Sequence, residues 1–380
     1  MDFNFATAGR ILFGPGRFTE LGQIVAGFGP TVMIVAGGHA AELPGLDSLG
    51  AERNLVRTAG EPTIPQVTEA VAAARALRPD VIVAVGGGSA IDTAKSVGIL
   101  ARNHGDIMDH IEVVGRGIPL EPVSIPVIAC PTTSGAGAEV TANSPIISPE
   151  HGVKASLRSP AMLPTVALVD PELTLSSPPS VTASSGFDAL TQCIEPYVSG
   201  KANVLTDQLA AEGIRRGATG LRAAWTDGSD LAARTDMSIC SLFGGLSLAN
   251  AKLGAVHGLA APVGGMTGAA HGQVCAAMLA SATRVNVAAM RDRQPGNPAL
   301  AKYLEVARLL TGDPNASMAD GIEWLAGIVA DLQVPGLAAL GLRDSQVEEA
   351  AEGALRASSM KGNPIQLSHH EVVEIIESSM

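Results

Sequence analysis

Aromatic side chains are scarce in this sequence: Phe, Tyr and Trp make up 3% of 380 residues. Ala, Val, Leu and Ile must therefore fill the interior, which favours closely packed helices and parallel strands over a β-sandwich and leaves no stacking platform for bases. Positive charge is also short. The formal charge is −12 and no Lys/Arg cluster stands out, so no basic face offers itself to a polyanion and no nucleic-acid partner is expected. No segment approaches the run of about 18 apolar residues that spans a bilayer. The opening MDFNFATAGR has neither a basic n-region nor an apolar h-region, so no membrane association and a cytoplasmic location are expected. The four cysteines, Cys130, Cys193, Cys240 and Cys275, lie far apart without a C-x-x-C pair. They read as reduced thiols rather than a disulfide framework or a zinc knuckle.

What is abundant is apolar residues, at 46%, and glycine, at 43 residues, the composition of a chain that folds throughout. At about 150 residues per domain, two domains are the natural starting point. The first 180 residues alternate short β-branched runs with helical patterns. TVMIVA (31–36), VIVAV (81–85) and SIPVIAC (124–130) read as strands, and PQVTEAVAAARAL (65–77) and AIDTAKSVGILA (90–101) as helices. That rhythm implies a parallel sheet with helices on both faces. Beyond VALVDPEL (166–173) and TLSSPPS (174–180) the strand signals stop, and helices are expected over 181–198, 204–224, 229–250 and 272–290. The expected division is an α/β domain over 1–180 and an all-α domain over 181–380.

Two turns carry chemistry in the first half. VIVAVGGGSAIDTAK (81–95) runs strand, three glycines, Ser89, helix. Glycines admit a close phosphate, and the first N–H groups of a helix supply donors and a positive dipole end. The same residues also fit a plain strand-to-helix turn capped by Ser89. A second turn, PTTSGAGAEVT (131–141), again sets hydroxyls and glycines where a parallel strand ends, the place where open parallel sheets bind ligands.

In the second half, Asp188 and Gln192 within FDALTQCIE (187–195) lie one turn apart on one helix face. AVHGLAAPVGGMTGAAHGQV (255–274) sets His257 and His271 on either side of a Pro/Gly-rich connector. A helical aspartate and two histidines flanking a loop form a donor set for a catalytic divalent ion.

GGGSAIDTAK and PTTSGAGAEVT resemble the two nucleotide-binding signatures of the iron-containing (group III) alcohol dehydrogenase family. The resemblance runs from ILFGPG (11–16) through DPELT (170–174) and FDAL to HGLAAPVGG and AAHG (257–272). It implies the dehydroquinate synthase-like plan, an N-terminal Rossmann-like parallel-sheet domain that binds NAD(P) and an all-α C-terminal domain that carries a divalent metal, Fe2+ or Zn2+. It further implies that Gly87, Gly88 and Ser89 hold the pyrophosphate, that Asp92 lies beside it, and that Thr132, Thr133 and Lys154 line the adenine and ribose side. Where NAD-preferring members often carry an aspartate after the first strand, this chain reads Ala36-Gly37-Gly38, so nothing repels a 2′-phosphate and NADPH is permitted or preferred.

The family's metal ligands are an Asp, a His four residues on and two further histidines. Asp188, His257 and His271 match, while Gln192 departs. An amide oxygen is a neutral and weaker donor than imidazole, so the fourth bond is poor or absent, or else Gln192 serves the substrate. Four residues after His257, where the family commonly has a histidine near the nicotinamide, stands Ala261. His104, His110, His151, His369 and His370 read as surface or locally bonded residues.

The expected activity is hydride exchange between nicotinamide and a small primary alcohol or its aldehyde, with catalysis resting on Asp188, His257 and His271, in a homodimer. Three rivals share the plan: a metal-independent reductase like the maleylacetate reductases, a lyase resembling dehydroquinate synthase, and a nucleotide-binding protein without turnover.

Overall fold

The computed structural model describes residues 2–49 and 54–380. The chain divides into two compact units, one of Ala6–Thr133 and Gly137–Ser176, the other of Ser177–Met380 with the chain start to Phe5 and Ser134–Ala136.

The first unit is built on a parallel sheet. Its strands are β1 (Arg10–Phe13), β2 (Val32–Gly37), β3 (Leu55–Thr58), β4 (Val81–Gly86), β5 (Val127–Pro131) and β8 (Val166–Val169), in the spatial order β1-β8-β5-β4-β2-β3. Every neighbouring pair is parallel. The central strands β4 and β5 are buried along their whole length, which is why they read as unbroken apolar runs rather than as alternation. Helices α1 (Leu21–Ala26), α2 (Ile64–Leu77), α3 (Gly88–Arg102) and the single turn α4 (Ile107–His110) accompany the sheet. A separate antiparallel ribbon joins β6 (Asn143–Ser148) to β7 (Val153–Arg158). Three short strands, β1, β3 and β8, and this ribbon are additions to the strands expected from the sequence.

The turn from β4 into α3 depends on missing side chains. A Cβ on Gly86 would stand 2.7 Å from the Ala90 Cβ and 3.2 Å from the Gly37 nitrogen, so only glycine lets α3 start this close to the sheet. On the buried face of α3, Lys95 is fully enclosed and pairs with Asp92 at 2.8 Å. Its ammonium also donates to the Ala138 carbonyl and the Thr141 hydroxyl, each at 3.0 Å. A buried cation with this many acceptors is satisfied rather than stranded.

The second unit is helical: α5 (Pro179–Val198), α6 (Val204–Thr226), α7 (Leu231–Ala251), α8 (Ala255–Thr267), α9 (His271–Arg293), α10 (Ala299–Thr311), α11 (Met318–Asp331), α12 (Val347–Arg356) and α13 (His369–Glu377). Its core takes residues from most of these helices, with Phe187, Leu190, Leu259, Met278 and Ile375 among those fully enclosed. Small residues stand in for aromatics at the crossings. A Cβ on Gly186 or Gly213 would run into Leu221 or Cys193. The connector expected between His257 and His271 is helical as far as Thr267, in a helix over Ala255–Thr267 with Pro262 inside it. The proline and glycines that argue for a loop are tolerated because the segment is packed into the core. Among the described residues no single helix is long and apolar enough to cross a membrane.

Beside Lys95, Glu139 is 2% exposed. Burial pushes its carboxyl up from 4.5 to about 7, against the pull of its own backbone N–H and of Lys95. A folded-state pKa above the unfolded value means that this stabilisation is complete below about 4.5 and is lost as pH rises through about 7. The expected loss over that window is roughly 3 kcal/mol. Thermal unfolding of Glu139→Gln should therefore decline less between pH 5 and pH 8 than that of the parent; parallel declines would contradict this account of the buried acid.

Candidate metal centre

Three helices of the second unit bring their polar residues to one place. Asp188, Gln192 and Glu195 lie at i, i+4 and i+7 on α5 and are buried to 6%, 4% and 6% exposure. His257 sits in the first turn of α8 and is also buried, whereas His271 opens α9 with its side chain 32% exposed. His257 Nε2 stands 3.3 Å from Asp188 Oδ1, and His271 Nε2 stands 3.8 Å from the same oxygen. The two imidazole rings are 5.4 Å apart, centroid to centroid. Cys275, one turn after His271 on α9, faces the same spot, and one donor atom from each of Asp188, His257, His271 and Cys275 lies within 4.8 Å of all the others. The α9 backbone can come this close to α5 because of Gly272: a Cβ there would overlap the Ser184 carbonyl.

Behind the donors stands Glu195. Its Oε2 accepts a hydrogen bond from His257 Nδ1 at 2.7 Å while its Oε1 accepts from the Val256 N–H at 2.7 Å. The bond keeps a proton on Nδ1 and fixes the ring plane, with Nε2 toward Asp188. Burial alone would favour a neutral imidazole at His257, yet the hydrogen bonds and charges of Asp188 and Glu195 override it and raise its pKa to about 9. Burial likewise opposes ionisation of Asp188. The hydrogen bond from His257, the charges of His271 and His257, and the Gln192 amide together hold it below the usual carboxylate range. The arrangement is that of an anionic pocket that favours a cation at its centre.

Whether the residues fit a divalent ion is answered by two features. Gln192 Oε1 is buried and, among the described residues, lacks any hydrogen-bond partner, a costly state for an amide oxygen unless something else meets it. The donor set of carboxylate, two imidazoles and thiol also matches what Zn2+ or Fe2+ accepts. The residues fit.

The residues expected to hold a nucleotide lie in the first unit, at the C-terminal ends of neighbouring parallel strands. Gly37 ends β2, Gly87 and Gly88 follow β4, and Thr132 and Thr133 follow β5. Gly87, not Ser89, is the N-cap of α3 and no side chain caps that helix, which leaves its first N–H groups without a capping acceptor and available to an anion. A Cβ on Gly87 would touch the Thr133 hydroxyl at 3.2 Å. The Ser89 hydroxyl donates to the Gly60 carbonyl. Asp92 is engaged with Lys95, and Lys154 on β7 pairs with Glu61 at 2.9 Å. Ala261 is exposed on α8, one turn beyond His257.

Two members of the metal cluster are not evident from the sequence. Glu195 is two turns from Asp188, so its face of α5 is legible, but nothing in the sequence ties it to His257. Cys275 reads as an inert thiol, although its place four residues after His271 in a helix is the available signal.

Comparison with known proteins gives a consistent result. The family model described as iron-containing alcohol dehydrogenase matches residues 8–171, and its C-terminal counterpart matches 182–380. A long-chain-alcohol dehydrogenase of Geobacillus thermodenitrificans is 35% identical over 329 residues, covering 84% of this chain and 80% of its own. An alcohol dehydrogenase structure from Oenococcus oeni superposes with a TM-score of 0.89 at 29% identity over 100% of both chains. The structure of a sulfoacetaldehyde reductase from Bifidobacterium kashiwanohense in complex with NAD+ has a TM-score of 0.85 at 26% identity, covering 99% of this chain and 98% of that one.

Removal of the His257 support tests this construction. Glu195→Ala should weaken retention of a divalent ion by about 10- to 100-fold, measured by competition with a chromophoric chelator. Glu195→Gln, which keeps an acceptor for the Nδ1 proton, should recover most of that loss. Unchanged retention in Glu195→Ala would show that the hydrogen bond does not orient the ligand.

Proposed function

We propose, because the chain belongs to the iron-containing alcohol dehydrogenase family, that it exchanges a hydride between NAD(P) and a small primary alcohol or its aldehyde at a site that depends on a divalent metal. Family membership makes it an oxidoreductase and implies both a divalent ion and NAD(P). The observation that carries the metal-dependent reading is the convergence of Asp188, His257 and His271 in a buried, anionic setting.

In this reading residues 1–180 serve the dinucleotide and residues 181–380 serve the metal and the substrate. Asp188, His257 and His271 would hold the ion, which supplies Lewis-acid polarisation of the alcohol or carbonyl oxygen when bound. Glu195 keeps His257 Nε2 available as a donor by holding the proton on Nδ1. On the other unit, Gly87 and Gly88 admit the pyrophosphate to the uncapped start of α3, Ser89 and Asp92 flank it, and Thr132, Thr133 and Lys154 line the adenine and ribose side.

The end of β2 decides between the two dinucleotides. Gly37 stands where a carboxylate would take the ribose 2′-hydroxyl and repel a 2′-phosphate. Its absence supports NADPH as the preferred cofactor. Oxidation of the alcohol releases one hydride to the nicotinamide and one proton. With Ala261 one turn beyond His257, no imidazole at that position carries the proton away.

The alcohol and aldehyde class is supported by the relatives, whose names include long-chain alcohol and sulfoacetaldehyde activities. With the metal stripped by a chelator, NADPH oxidation against a panel of small aldehydes should fall by more than about 100-fold and return on adding Zn2+ or Fe2+, a difference of roughly 3 kcal/mol in the barrier. Full activity after complete metal removal would contradict the metal-dependent reading and favour a reductase that works without one.

A further inference from the structure

We propose that Cys275 supplies a further protein bond to the metal beside Asp188, His257 and His271, making this a centre with a carboxylate, two imidazoles and a thiolate, suited to Zn2+. The proposal rests on the reading of Asp188, His257 and His271 as metal ligands.

Three features of the site support it. Cys275 lies one helical turn beyond His271 on α9, so the two side chains project from the same face. It is fully buried, and its Sγ lies within 4.8 Å of a donor atom on each of Asp188, His257 and His271. Donors around a tetrahedral zinc, with bonds of about 2.0 to 2.3 Å, stand roughly 3.5 Å apart. The cluster is thus within about 1.3 Å of that spacing, a distance that side-chain rotations cover.

The neutral amide of Gln192 is a weaker donor than a thiolate for a borderline-soft ion. On binding, the Cys275 thiol gives its proton to solvent, and sulfur, two nitrogens and one oxygen face the ion. Thiolate in the donor set shifts preference away from Mg2+ and Mn2+ and toward Zn2+.

The test uses the whole protein, stripped of metal and reloaded with Co2+, whose bond to a thiolate gives an intense charge-transfer absorption in the near ultraviolet. The parent protein should show this band, Cys275→Ala should bind cobalt without it, and Gln192→Ala should keep it. Zinc retention should fall by more than about tenfold in Cys275→Ala, at least as much as loss of an outer partner costs. Cobalt bound without the band in the parent, or a band that survives Cys275→Ala, would overturn the proposal and leave the Asp188, His257 and His271 reading standing. Binding of neither cobalt nor zinc would overturn both. The parent spectrum decides the point even if a variant fails to fold.

Discussion

A buried carboxylate that must be paired governs the helical half of this protein. Asp188 is enclosed, and an ionised carboxylate in such a place is tolerated only when opposite charge and donors meet it. The structure brings two imidazoles and an amide to it, and those groups come from three helices. That requirement fixes how closely α9 approaches α5, and it explains why position 272 carries no side chain that would meet the Ser184 carbonyl. Glu195 extends the same logic by one layer. It anchors the ring of His257 and the start of α8 together, through a side-chain bond and a backbone bond.

On the proposed reading, the sheet half solves a different problem, the approach of an anion to backbone. Parallel strands end together, so β2, β4 and β5 present their last residues in one row. β2 and β4 end on Gly37 and Gly86, and α3 begins there without a capping side chain. The open turn is supported from underneath, where Lys95 is locked among Asp92, the Ala138 carbonyl and the Thr141 hydroxyl. A cation buried this deeply secures the segment 138–141 against α3.

Much of this is legible in the amino-acid order alone. Central strands buried on both faces carry unbroken β-branched runs, so β2, β4 and β5 are visible, and the long helices α5, α6, α7 and α9 show their period. The short strands β1, β3 and β8 have only four residues each, too few for a periodicity to declare itself. Helix α8 is hidden by Pro262 and its glycines, because local propensity argues for a loop and tertiary packing overrides it. In the site, Asp188, His257 and His271 can be named from residue type and spacing, since carboxylate and imidazole in one domain suggest a metal. Their convergence on one oxygen cannot, as it depends on how three helices cross. The place of Gln192 beside Asp188 is legible from i,i+4 spacing, but its unpartnered buried oxygen is not. Glu195 and Cys275 stay hidden for the same reason as the convergence: each acts through a neighbour that is distant in sequence.

The account depends on one ion held where α5, α8 and α9 meet. Anomalous diffraction from metal-loaded crystals, collected on both sides of the metal's absorption edge, tests that most directly. A single edge-dependent peak bounded by the Asp188 carboxylate and the Nε2 atoms of His257 and His271 is the predicted result. Metal located elsewhere in the chain, or these three side chains turned away from one another with no peak among them, would contradict it.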